Sequence, residues 1–289
     1  MINSFNQLGT VRSYRHVGCT VFLDCGGPLV ALTPLTDRII RVRLAPQGSF
    51  APRRSWAVSG PDQDFPGASL EISQTDTTLL LQTAALTIHL ARNSCSIGFT
   101  DEQGHTFCAD ETGMQWKAGP AGMQQVRCTK RIEPGEHFYG FGERTGLLDK
   151  LGSHMINWTT DQYRYSHGSD PLYIAIPTFM ALRPELANGV FFNNPWRSRF
   201  DMGATQPGVW QMEAEGGELD YYLVYGPTPA EVCAGFSQIL GTMPLPPPNA
   251  ISNDAARTSP GCAGARMPTP APLHCSLQSA AIGAFTTAW

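Results

Sequence analysis

An all-β chain, folded as an antiparallel β-sandwich with one C-terminal helix and an irregular tail, is predicted by three features: an apolar period of two, closely spaced turn residues, and little helical periodicity. The period is clearest over 37–46, DRIIRVRLAP, where Ile40, Val42 and Leu44 face one way and Arg41 and Arg43 the other. It returns in Leu86, Ile88 and Leu90, set against Thr87, His89 and Ala91. Turn clusters of Gly, Pro, Asp and Ser follow at 25–28, 59–67, 101–104, 118–122 and 215–218. Further strands are expected over 123–132, 173–181, 190–192, 209–213 and 219–225. Glycine and proline together make 52 of 289 residues, 18% against a usual ~12%, which favours turns over helices.

The single predicted helix starts at Thr228. In Thr228-Pro229-Ala230-Glu231 a hydroxyl caps, a proline occupies the first helical position and a glutamate reaches back. Val232, Phe236, Ile239 and Leu240 give one apolar face, and Gly241 is placed to end it. The prolines that follow cannot continue a helix. The chain therefore divides into a β domain over 1–243, an extended Pro-rich linker over 244–248 and an irregular tail over 249–289. The tail's 41 residues are rich in Ala, Ser, Thr and Pro, with Asp254, Arg257 and Arg266 as its only charges and no sustained period.

Composition excludes several classes. At 42% apolar the chain has material for a core. A net charge of -4 gives no broad positive field, so nucleic acid is not an expected partner. No stretch approaches the ~18 to 20 apolar residues that span a bilayer, and the first residues lack the apolar run of a signal peptide, so a soluble, cytoplasmic protein without a membrane partner is expected. The eight cysteines are scattered without a CxxC pair and are read as free thiols; no HxH or HExxH spacing supports a metal, and no cofactor is expected.

Aromatics, amides and carboxylates crowd into two runs, HFYGFGERTGLLDK from His137 and NWTTDQYRYSHGSDPLY from Asn157. Stacking faces beside bidentate acceptors suit a polyhydroxylated ligand, because a sugar offers an apolar C–H face and a ring of hydroxyls. Read structurally, the same residues make a core of Tyr139, Phe141 and Trp158, a bulge at Gly140 and Gly142, and turn caps at Asp161 and Asp170. Glu143 is read as an acceptor that holds the loop, and Arg197 and Arg199 as solvated strand residues or a pair for Asp201.

The ordered series DRIIRVRLAP, SWAV at 55–58, FYGFGERTG, NWTTDQYRYSHGSDPLYIAIPTF, GVFFNNPWRSRFD and DYYLVYGPTPAEVCAGFSQILGTMPLPP resembles the N-terminal region of glycoside hydrolase family 31, the α-glucosidase-like enzymes. The resemblance spans most of 38–247 and implies a galactose-mutarotase-like sandwich ahead of a (β/α)8 barrel that carries the two catalytic aspartates of a retaining O-glycosyl hydrolase. Retention needs two carboxylates about 5 to 5.5 Å apart. A barrel needs ~250 residues, and Asp254 is the only acid after Pro247. The chain is therefore expected to be truncated before the catalytic barrel, with no catalytic residues of its own and inactive alone. The tail's change of composition suggests a frameshift product.

The resemblance further implies a sandwich loop that forms part of the sugar subsites, here the 157–173 run. It assigns substrate binding to Asp170 first, then Asp161, with Tyr163, Tyr165 and Trp158 as stacking or supporting residues. The expected partner is an oligosaccharide or α-glucoside, with self-association through the face that would pack on the barrel. The alternative is a stand-alone carbohydrate-binding module that keeps a sugar site without hydrolysis.

Overall fold

The structure is a computed structural model that describes residues 4–50, 55–119 and 122–245. The expected linker beyond residue 245 and the tail lie outside the described residues. The chain runs through β1 (Asn6–Gln7), β2 (Ser13–Val17), β3 (Thr20–Asp24), β4 (Leu29–Pro34), β5 (Ile39–Ala45), β6 (Glu71–Gln74), β7 (Thr78–Gln82), β8 (Leu86–Ala91), β9 (Ile97–Asp101) and β10 (Thr106–Phe107). It continues through β11 (Asp110–Ala118), β12 (Gln124–Arg131), β13 (His137–Gly142), β14 (His154–Asn157), β15 (Ala175–Arg183), β16 (Leu186–Phe192), β17 (Ser198–Met202), β18 (Val209–Ala214), β19 (Leu219–Gly226) and the helix α1 (Pro229–Leu240). A 3-10 turn at Asp62–Asp64 lies within the predicted 59–67 turn cluster.

Every strand pair is antiparallel, in three sheets. Their orders are β1-β11-β12-β18-β17-β14, β10-β9-β8-β7-β6 and β13-β15-β16-β19-β5-β4-β3-β2. The predicted alternation places the inner faces. Ile40, Val42 and Leu44 of β5 are fully buried, as are Ile88 and Leu90 of β8, and all join one core with Val126 and Cys128 of β12 and Phe200, Trp210 and Met212 of β17 and β18. Arg41 and Arg43 on the opposite face of β5 are only partly exposed, because Asp220 of β19 and Glu218 just before it pair with them.

β16 and β19 depart from the two-sided pattern, since each is buried along its whole length. One face joins the common core and the other receives α1. Val232, Phe236 and Ile239 of the helix pack on Ala187, Phe191, Tyr222 and Val224. Strands covered on both faces read as continuous apolar runs, which is how GVFF and YYLVY read here. The helix start follows its prediction: Thr228 accepts from the Glu231 N–H, the Glu231 carboxylate accepts from the Thr228 N–H, and Pro229 opens the first turn. The Ser59 N–H donates to the Ile239 carbonyl at 2.8 Å, tying the 55–61 segment to the helix end.

The core also encloses a charge pair. Lys130 Nζ, fully buried, donates to Asp110 Oδ1 at 2.7 Å and to the Cys108 carbonyl at 2.9 Å, while Asp110 Oδ2 accepts from the Ile97 N–H at 2.8 Å. Burial opposes the lysine's charge, and Asp110 and its neighbours overcome it, so the Lys130 pKa stands well above its ordinary value. The six described cysteines are free thiols.

Candidate functional site

The site begins at the end of β13. The register with β15 shifts between Gly140 and Gly142, giving the predicted bulge. Both glycines have positive φ, 126° and 81°. A Cβ at Gly140 would lie 2.7 Å from the Thr178 carbonyl, and one at Gly142 2.6 Å from that of Ile174, so no side chain fits either position. The bulge turns the strand outward and delivers the residue after Glu143 to the base of the long loop.

That residue, Arg144, is the hub. Its side chain is 5% exposed. Nε donates to the Phe141 carbonyl at 3.0 Å, Nη1 to the Ile156 carbonyl at 2.7 Å and to Asp170 Oδ1, and Nη2 to Asn157 Oδ1 at 2.8 Å. Asp170 Oδ2 accepts from the Ile156 N–H. One guanidinium thus gathers three chain segments, and its partner Asp170 lies 26 residues away in sequence. Burial pulls the Arg144 pKa below its ordinary value, against the Asp170 charge that raises it. Glu143 contributes its N–H to the Ile174 carbonyl at 3.0 Å. The side chain that holds the loop belongs to its neighbour.

Above this clamp the 157–173 loop closes with the Thr160 N–H on the Leu172 carbonyl at 2.9 Å, the Thr160 hydroxyl on the Pro171 carbonyl at 3.2 Å, and the Tyr173 hydroxyl on the Gln162 carbonyl. Tyr165 sits edge-on to Tyr173, ring centroids 6.3 Å apart. The five residues expected at the site separate into two groups. Trp158, Asp161, Tyr163 and Tyr165 all lie exposed on the loop, Tyr163 at 85%. Asp170 points into the clamp, and each of its oxygens already accepts a hydrogen bond from the protein. Leu147 and Leu148, between the clamp and β14, are also exposed.

One depression borders this region and a second lies along the 55–61 segment. A cleft of about 140 Å³ beside the loop's start is lined by Asn157, Trp158, Thr159, Ala175, Pro177, Asn194, Pro195 and Trp196, none of them titratable. A larger cleft of about 560 Å³ runs under the exposed Trp56 and includes Arg41, Asn193 and Tyr222. Its one cation is committed: Arg41 holds both oxygens of Asp220 at 2.9 and 2.8 Å and Asp62 at 2.7 Å. Among the described residues no group of three or more His, Cys, Asp and Glu side chains is placed to hold a metal, and no helix is long and apolar enough to cross a membrane.

Arg144 and Trp196 were not among the expected site residues. The partners of Arg144 are too distant in sequence to leave a local pattern. Trp196 was hidden because the PWRSRFD run reads as a charged strand. Of the two readings of that run's arginines, the solvated one fits their side-chain exposures of 40% and 48%, whereas the pairing with Asp201 is not formed. Arg197 and Arg199 reach Glu215 at 4.0 and 3.6 Å, while Asp201 accepts from the Ala204 and Thr205 N–H groups of its own turn. Strand pairing explains this, because Ser198 lies opposite Ala214 and Glu215 follows directly.

Residues 29–201 match the profile of the glycosyl hydrolase 31 N-terminal galactose mutarotase-like domain. Alpha-glucosidase 2 of Bacillus thermoamyloliquefaciens is 32% identical over 255 residues, covering 88% of this chain and 31% of that protein. Alpha-xylosidase XylQ of Lactiplantibacillus pentosus is 27% identical over 78% of this chain and 28% of its own length. Among solved structures, the family 31 dextranase of Flavobacterium johnsoniae, complexed with isomaltotriose, superposes with a TM-score of 0.77 at 25% identity over 84% of this chain and 29% of that one. The chain thus spans under a third of the length of these relatives.

Proposed function

Because the chain belongs to glycosyl hydrolase family 31 through its N-terminal galactose mutarotase-like domain, we propose that it is the sugar-contacting N-terminal part of a retaining α-glucosidase-type hydrolase and does not itself cleave the glycosidic bond. The observation that carries this reading is the chemistry of the loop and its cleft. The loop offers rings and one free acid, and the cleft beside it is lined by indoles, amides and prolines without a titratable group. Such a surface binds hydroxyls and C–H faces, and with Asp161 as the loop's one uncommitted carboxylate it lacks the pair, nucleophile and proton donor, that retention requires.

In this reading Trp158, Tyr163 and Tyr165 stack on sugar faces and Asp161 accepts hydroxyl donors, each such charge-assisted bond contributing roughly 1.5 to 3 kcal/mol when shielded from water. Asp170, first in the sequence-based order, receives a positioning role, since both of its oxygens are engaged. The test uses the 289-residue chain with a chromogenic α-glucoside and, separately, a maltose titration. No turnover, with saturable maltose binding weakened by Asp161→Ala, is the expected result. Turnover by this chain would overturn the reading.

A further inference from the structure

We propose that the cleft between Trp158 and Trp196 is a pyranose-binding site, in which the indole of Trp196 forms a second stacking wall that faces the loop. This deepens the preceding reading and rests on it. Four observations point the same way. First, the two tryptophans lie at the same end of neighbouring strands. Asn157 at the end of β14 pairs with Ser198 at the start of β17, so Trp158 follows one strand where Trp196 precedes the other.

Second, both rings are left open, 46% exposed at Trp158 and 42% at Trp196, while the asparagine close before each is 7% and 5% exposed. In both cases the backbone is fixed and the ring is presented. Third, the fixing is specific. Asn157 Oδ1 is held by Arg144 at 2.8 Å. Asn194 Oδ1 accepts from the Trp196 N–H at 2.8 Å, and its Nδ2 donates to the carbonyls of Gly216 and Glu218 at 2.9 and 3.0 Å. The Trp196 ring lies against Gly216 and Gly217, where an added Cβ would approach it to 2.7 and 3.0 Å. The glycine pair is therefore a seat that only bare backbone provides, and it sets the ring's direction before any ligand arrives.

Fourth, size and polarity match one ring. A volume of about 140 Å³ is well below the ~300 to 1,000 Å³ of drug-sized sites, and the lining includes the apolar Ala175 and Pro177. Indoles with apolar neighbours suit the C–H face of a pyranose. The absence of titratable lining selects a neutral sugar rather than a uronic or phosphorylated one.

The test is nuclear magnetic resonance of the full chain, following its six tryptophan indole N–H signals during titration with isomaltotriose and with maltotriose. Trp158→Phe and Trp196→Phe assign the signals. The expected result is saturable movement of the Trp158 and Trp196 signals together, with Trp56 still, and a loss of affinity of about ten-fold in Trp196→Ala that Trp196→Phe largely restores. Binding that leaves the Trp196 signal unmoved and survives Trp196→Ala overturns the cleft while sparing the preceding reading. No binding of either saccharide overturns both. Because the wild-type shifts carry the argument, misfolding of an alanine variant does not obscure it.

Discussion

β19 and the 157–173 loop are opposite solutions to holding a segment in place. All eight residues of β19 are buried, between β16 and β5 at its edges and between the core and α1 on its faces. Of the seventeen loop residues only Asn157 and Leu172 are buried, one near each end. The strand is held everywhere by burial of apolar surface. The loop is held at its base by a guanidinium and at its neck by Thr160, and its aromatic middle is presented to solvent. A binding surface needs the second arrangement, because side chains that secure a segment by burial are unavailable to a ligand.

The largest expected effect lies in the core. Lys130→Met leaves the Asp110 carboxylate buried without its cation and is expected to lower stability by about 3 to 5 kcal/mol, read from the urea midpoint; adding Asp110→Asn recovers part of the loss. A change under 1 kcal/mol would mean that water reaches this pair and that the core is less closed than β19 implies.

Glu136 gives an effect with a pH signature. Burial raises its pKa from 4.5 to about 7, against the Glu133 N–H and nearby Arg183, which lower it. The folded state therefore binds this proton more tightly than the unfolded state, so its contribution is most favourable at low pH and is lost as pH rises from about 4.5 through about 7. Glu136→Gln is expected to flatten stability over that window and to exceed the parent by about 3 kcal/mol at pH 8. Equal pH slopes for the two proteins would remove the burial argument.

The smallest global effect is expected at the loop. Arg144→Met should cost about 1 to 3 kcal/mol, because the Asp170 side chain, 19% exposed, reaches water when the loop opens. Amide exchange across 157–173 should accelerate while that of β19 stays unchanged. Equal acceleration in both would show that loop and strand open as one unit, contrary to the contrast drawn between them.

The same contrast explains what was legible in the sequence. Ile40, Val42 and Leu44 announce β5 because burial on one face writes a period of two into adjacent residues, and Thr228 to Glu231 announce α1 because capping is local. The loop's rings were visible as composition. Its geometry was not, since Arg144 meets Asn157 and Asp170 through folding alone, and the seat of Trp196 is made by glycines of a different turn. Asp170 shows the limit most clearly: an acid before a proline reads equally as a free acceptor or an anchor until the arginine opposite it is placed.

The two-sided burial of β19 also bears on how this domain changes over evolutionary time. A strand with one wet face keeps every second position available for drift, as β2, exposed along its length, does more freely still. β19 has no such position. Substitutions there must satisfy the sandwich core or the α1 seam, and a helix replacement at Val232 or Phe236 must be matched at Tyr222 or Val224 beneath it. Diversification is thereby channelled into the loops, where a new ring or amide alters what is bound without disturbing what is folded.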